Sequence, residues 1–263
     1  PDIDFISFIG SNATGVQIQT AAAKNHIGCT LELGGKSAQI VFADADLDAA
    51  VPVLVNAIVQ HAGQTCSAGS RLLVERSAYD AIVGRVAERF SQVRVGTPEM
   101  DFDLGPVVSR RQQQRVIGFC DRAAGDGVPL IASGQLAEGL PEDGFFVQPK
   151  LFGPVPRSNA LAHDEVFGPV MAVLPFEDEA DAVALANATQ YGLVAGIWTR
   201  DGSRAMRVGR RMKVGQVFVN CYGAGGGIEL PFGGMKKSGH GREKGFEAFH
   251  EFSALRTMVV RHD

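Results

Sequence analysis

Strand signatures that alternate with helix signatures predict an α/β fold with a largely parallel sheet, because parallel neighbours need helical crossovers between them. Two observations carry this. Short apolar runs such as 170–176 and 194–199 read as strands, and stretches such as 77–90 place Ile82, Val83, Val86, Ala87 and Phe90 at helical spacing. With 263 residues, 45% of them hydrophobic, the chain can bury a substantial core. Its 25 basic and 29 acidic residues give a net charge of −4 without long runs of one sign, which argues against nucleic acid as a partner. The longest apolar stretch, 49–59, is broken by Pro52 and Asn56 and falls short of the roughly 20 residues a membrane helix needs. Four scattered cysteines without CxxC pairs suit a reducing, cytoplasmic compartment.

In chain order, residues 5–9 read as a strand that stops at Gly10-Ser11, and 12–24 as a helix with Ser11 as its cap. Free N–H groups at such a helix start favour a phosphate. Residues 29–33 and 37–43 read as two strands separated by Gly34-Gly35, so Glu32 stands at a strand end beside a flexible joint. Asp44 and Asp46 can cap a helix over 47–61, with Pro52 early in it or at a kink, and this helix delivers the chain to Cys66. A short strand at 71–75 precedes the amphipathic helix begun by 77–80. Residues 109–123 look helical, 130–132 and 145–151 extended, and 134–144 a surface loop. Then follow strand 170–176, helix 179–188, strand 194–199, helix 203–212 and strand 216–220. From Cys221 the pattern dissolves into a glycine-rich loop over 222–245, a helical piece around 246–249 and a last apolar run at 255–260. That run reads as a strand without a local partner, and an unpaired edge invites pairing with another subunit.

Two side chains stand out chemically. Cys66 lies among small and polar residues in Gly63-Gln64-Thr65-Cys66-Ser67-Ala68-Gly69, where exposure and backbone N–H donors would lower a thiol pKa and could hold an oxyanion. A lone cysteine is more often an inert small hydrophobe, and Cys29, Cys120 and Cys221 keep that reading. Glu32, bracketed by Leu31 and Leu33, is a carboxylate that partial burial would tune toward a general base; a solvated edge residue is the alternative. The six histidines form no metal-ligand spacing, so no metal site is expected.

ELGGKS at 32–37, GQTCSAGSR at 63–71, EVFGPV at 165–170 and PFGGMKKSGHGRE at 231–243 occur in one chain in this order. Together they resemble the NAD(P)-dependent aldehyde dehydrogenases, and the resemblance runs from FIGS at 8–11 to the last apolar run. It implies oxidation of a small aldehyde to a carboxylic acid with NAD or NADP, through a cysteine thiohemiacetal and thioester. By resemblance Cys66 is the nucleophile and Glu32 the base that activates water. Gly10 and Ser11 match the pyrophosphate turn, and Glu165 and Phe167 the residues that position the nicotinamide ribose and ring. Thr65, Ser67 and Phe232 match the substrate pocket, and Glu243 a proton relay. Glutamate at position 32 favours a hydrolytic member over a CoA-acylating one. The small Gly-Ala-Gly-Gly-Gly loop at 223–227 predicts a roomier substrate entrance.

The resemblance also sets expectations about extent. It reads as the C-terminal part of the family: a remnant of the Rossmann-like NAD(P)-binding domain at 1–34, an aldehyde-dehydrogenase-like catalytic domain at 35–237, and a return segment with an oligomerisation strand at 238–263. The expected consequences are a truncated chain, an incomplete cofactor site, and weak or no dehydrogenase activity alone, since residues 1–34 cannot build a dinucleotide crevice by themselves. An assembly module of the same fold and a Cys-dependent esterase stand as the other functions. A dimer or tetramer through the C-terminal strand is expected, with no membrane and no nucleic acid as partner.

Overall fold

The computed structural model describes residues 2–223 and 227–263. Its first unit is β1 (Phe5–Ile9), α1 (Asn12–Lys24) and β2 (Gly28–Glu32), with β1 and β2 parallel and Phe5 opposite Gly28. Ser11 caps α1, its hydroxyl accepting from the Thr14 N–H at 3.3 Å. Gly15 lets the helix lie on Leu33, since a Cβ there would meet both Leu33 methyls at 2.8 Å.

The main sheet begins with β3 (Ala38–Val41), buried at every position as a central parallel strand must be. Helix α2 (Leu47–Val59) is capped by Asp46, whose carboxylate accepts from Asp48 and Ala49 N–H groups. Pro52 sits inside this helix rather than ending it. Next come β4 (Arg71–Glu75), α3 (Tyr79–Ser91), β5 (Arg94–Val95) and α4 (Arg110–Gly125). Beyond them lie β6 (Leu130–Ser133), β7 (Gln135–Leu136), β8 (Lys150–Phe152), α5 (Ala160–His163), β9 (Val170–Phe176) and α6 (Glu179–Asn187). The chain closes with β10 (Tyr191–Gly192), β11 (Val194–Trp198), α7 (Gly202–Gly209), β12 (Gln216–Val219), β13 (Met235–Lys236), β14 (Gly239–His240) and α8 (Glu247–Glu251).

Seven strands in the order β12-β11-β3-β4-β9-β8-β6 make the main sheet, parallel throughout except for the β6–β8 pair. One contiguous apolar core of β3, β4, β9, β11 and the helices over them buries Ile40, Leu54, Leu72, Leu73, Phe90 and Phe176 completely. Ion pairs stay at the rim, as at Arg157–Asp181 and Arg204–Asp44.

Two expectations are corrected by this architecture. The first 34 residues are not a stray remnant. Strand β14, from the far end of the chain, pairs antiparallel with β2 and completes a three-stranded sheet β1-β2-β14, with Gly239 opposite Glu32. Backbone hydrogen bonds thus tie this unit to the site loops. The apolar run at 255–260, in turn, forms no strand within the single chain: residues 253–263 are neither helix nor strand, and Leu255, Met258, Val259 and Val260 are exposed. A strand needs a ladder partner, and none within the described chain reaches this segment.

Arg71 is the charged residue buried deepest in the sheet, at 2% exposure. Its guanidinium donates to the carbonyls of Lys36 (2.9 Å), Leu185 (2.8 Å) and Ala186 (2.7 Å), pinning α6 to the start of β3. Burial lowers its pKa to about 10, so it stays charged. Arg71→Met strands three carbonyls and is expected to lower unfolding free energy by about 3 kcal/mol or more. A denaturant midpoint equal to that of the parent chain would refute this role.

Candidate functional site

Glu32 ends β2 and is only 2% exposed. Neither carboxylate oxygen has a hydrogen-bond partner among the described residues. Burial first, and then the charge of Glu243, raise its pKa to about 8; Arg242 and the Gly234 backbone pull weakly the other way. A carboxylate so tuned exchanges a proton near neutral pH.

Cys66 follows a sharp break in the chain. After α2, His61 and Ala62 take left-handed φ of 51° and 54°, and Gly63 follows at 71°. These turns swing Thr65-Cys66-Ser67 back toward the end of β2. A Cβ on Gly63 would lie 2.2 Å from the Gly168 carbonyl carbon, so the cysteine loop also rests on the Val166–Pro169 loop. The thiol does not behave as its polar neighbours suggest. Burial, with Glu32 and then Glu165 adding negative charge, pushes its pKa up to about 11, whereas sequence context predicts a lowered value. The Ser67 and Cys66 backbone N–H groups favour the thiolate, but the two carboxylates and the loss of water outweigh them.

Glu165 enters from the loop before β9. Its Oε1 accepts from the Gly35 N–H at 2.8 Å. The glycine pair is packed against both partners: a Cβ on Gly34 would lie 2.3 Å from Glu165 Oε2, and one on Gly35 would lie 2.3 Å from the Cys66 carbonyl oxygen. Gly34-Gly35 therefore lets Glu32, Cys66 and Glu165 converge. Burial raises the Glu165 pKa, opposed by the Gly35 N–H and by the charges of Lys36 and Arg115.

The remaining expected residues are distributed around this group. Thr65 and Ser67 flank the thiol, and their hydroxyls lack partners among the described residues. Gly10 donates its N–H to the Glu32 carbonyl at 3.0 Å, so the β1–α1 turn abuts the end of β2. Phe167 adopts a left-handed φ of 58°. Phe232 and Glu243 form an antiparallel bridge outside the hydrogen-bonded set around Gly35, with the Lys244 ammonium 5.7 Å from the Phe232 ring. The Glu243 carboxylate accepts from Ser7 Oγ at 2.9 Å, and its charge reaches Glu32. Of the glycine loop expected to widen the entrance, 224–226 lie outside the described residues.

Sequence reading passed over several residues that hold the site. Gln112 and Arg115 on α4 donate to the Glu165, Val166 and Phe167 carbonyls, including Gln112 Nε2 to Phe167 at 2.7 Å and Arg115 to Glu165 at 2.5 Å. Tyr222 donates its hydroxyl to the Ser67 carbonyl at 2.5 Å. Lys36 is buried with its Nζ unpartnered among the described residues, and burial followed by Arg71 repulsion lowers its pKa to about 7. The only signal for Lys36 and Ser238 was their place inside the quoted motifs. Nothing local in sequence marks Gln112 or Arg115.

The β1–α1 turn suits a dinucleotide phosphate. Gly10 and Ser11 are exposed there, and the first turn of α1 carries no acidic residue to repel an anion. Among the described residues no group of three or more His, Cys, Asp or Glu could hold a metal, and no helix is long and apolar enough to cross a membrane.

The model of the aldehyde dehydrogenase family matches residues 1–258, and the chain belongs to that family. It is similar to betaine aldehyde dehydrogenase of Sinorhizobium fredii, 40% identical over 99% of this chain and 53% of the relative. Among solved structures it is similar to a candidate aldehyde dehydrogenase from Burkholderia cenocepacia, with 60% identity, TM-score 0.97, and coverage of 99% of this chain and 55% of that one. It is also similar to the Mycobacterium tuberculosis aldehyde dehydrogenase complexed with NAD+, with 40% identity, TM-score 0.90, and coverage of 96% and 52%. The chain spans about half the length of the curated relatives it matches.

The family model takes in residues 1–258, so 1–34 belongs to the matched region with the rest of the chain and is not a remnant apart from it, and the expectations of a truncated C-terminal part, an incomplete cofactor site and weak or absent activity are not carried further.

Proposed function

We propose that this chain serves NAD(P)-dependent oxidation of a small aldehyde to a carboxylic acid, with Cys66 as nucleophile and Glu32 as general base. The observation that carries the reading is the convergence of a half-buried thiol with two carboxylates on the Gly34-Gly35 joint. A thiol with pKa about 11 is scarcely ionised at neutral pH, and the thiolate is the attacking species. Glu32, with pKa about 8, is the base that removes its proton as the S–C bond forms. The Cys66 and Ser67 backbone N–H groups favour negative charge at the sulfur end of the pocket. NAD(P), when bound, supplies the hydride acceptor. Gly10 and Ser11 would hold its phosphates, and Glu165 and Phe167 its nicotinamide end. With the acyl group left on Cys66 as a thioester, Glu32 takes a proton from water, hydroxide adds to the carbonyl, and the acid departs as the sulfur is restored. Glu243 relays the proton onward, and Thr65, Ser67 and Phe232 line the substrate side.

A homo-oligomer fits the same reading, because Leu255, Met258, Val259 and Val260 leave a run of apolar side chains in solvent. Four free cysteines suit a reducing, cytoplasmic setting. Aldehyde supplied with NAD is expected to yield reduced nicotinamide and a transient acyl adduct on the Cys66 peptide by mass spectrometry. Cys66→Ala is expected to lose about 10³-fold or more in turnover. Aldehyde oxidation that survives Cys66→Ala would refute the assignment.

A further inference from the structure

Ser238 lies in the turn between β13 and β14 and is completely buried. Its hydroxyl donates to the Gly34 carbonyl at 2.7 Å and accepts from the Gly192 N–H at 3.0 Å. Its own carbonyl accepts from the Leu33 N–H at 2.9 Å, and its N–H donates to the Met235 carbonyl at 3.1 Å. One residue thus joins the end of β2, strand β10 and the β13–β14 turn. Both hydroxyl bonds are made in a dry interior, where losing one strands a backbone group.

The Gly34 carbonyl is the point that matters. It belongs to the joint against which Glu165 packs at Gly34 and the Cys66 carbonyl packs at Gly35, and the next N–H along holds the Glu165 carboxylate. We infer that Ser238 is a positioning residue: its hydroxyl locks the Gly34-Gly35 joint and thereby sets how closely the Glu165 carboxylate and the Cys66 thiol are held together, away from water. The inference rests on the reading of Cys66 as nucleophile.

Ser238→Ala keeps the Cβ and removes only the two hydroxyl bonds. With the joint released, water enters and Glu165 recedes from the sulfur, so two of the three influences that raise the thiol pKa, burial and the Glu165 charge, weaken while the charge of Glu32 stays. The pH dependence of Cys66 alkylation by iodoacetamide, read on its peptide by mass spectrometry after short pulses, is expected to shift down by about half a unit or more. kcat for aldehyde oxidation falls more than KM rises. Val86→Ala, a truncation in the buried face of α3, costs stability without touching the joint and should leave the alkylation profile in place. An unshifted profile in folded Ser238→Ala, or an equal shift in Val86→Ala, overturns the inference. If Ser238→Ala does not fold, Ser238→Cys, which keeps a weaker donor, gives the same reading with a smaller shift expected and an unshifted profile again overturning it. Failure of the nucleophile assignment shows separately, as aldehyde oxidation by Cys66→Ala, which does not depend on the titration.

Discussion

Glu32→Gln is expected to lower steady-state aldehyde oxidation by about 10² to 10⁴-fold, the range over which a positioned general base contributes. The carboxylate is buried without a partner, and its pKa of about 8 makes the parent rate rise with pH as Glu32 loses its proton and fall below that value as it gains one. In the variant this limb disappears. What remains is set by the thiol, whose own pKa falls from about 11 because Glu32 is one of the charges that raise it. Raising the pH therefore restores acylation of Cys66 but not hydrolysis of the thioester, and the acyl adduct accumulates. Rapid-quench mass spectrometry against pH separates the two steps. A variant that keeps the parent's limb near pH 8 would remove Glu32 from the chemistry.

Gly35→Ala is expected to cost about 10²-fold in kcat with a far smaller loss of stability. Its Cβ would stand 2.3 Å from the Cys66 carbonyl oxygen, and this contact is backbone, which cannot rotate away. The strain is relieved by moving the cysteine loop, and displacements near an ångström are enough to cost a rate of this size. Gly34→Ala is the informative neighbour. Its Cβ would meet the Glu165 carboxylate, again at 2.3 Å, so that variant disturbs the nicotinamide side and is expected to raise KM for NAD more than it lowers kcat. Steady-state kinetics on both variants, with thermal midpoints, test the pair. Equal effects of the two on every parameter would show that the glycines matter only as flexible chain.

The order of elements was legible where local chemistry decides it. Ser11 and Asp46 are polar caps beside helical patterns, and each makes its expected cap bonds. Strand β9 spans the apolar run 170–176 without adjustment, because a fully buried parallel strand needs an unbroken apolar sequence. The apolar tail forms no strand within the single chain for the complementary reason. Its composition suits a strand, but a strand exists only with a ladder partner, which composition does not reveal.

The candidate site divides the same way. By itself the sequence determined which side chains can react and where along the chain they lie: a cysteine among small residues, a carboxylate at a strand end, and four motifs in family order. Only the tertiary structure decided their electrostatic state. Cys66 was expected to be acidic from its neighbours along the chain, yet Glu32 and Glu165 arrive through space and burial removes the water that would screen them, so its pKa rises. Ser238, Arg71 and the Gly34-Gly35 joint act through bonds to segments far away in sequence. Charge and solvation depend on distances that form only when the sheet closes, and residue identity is set before that.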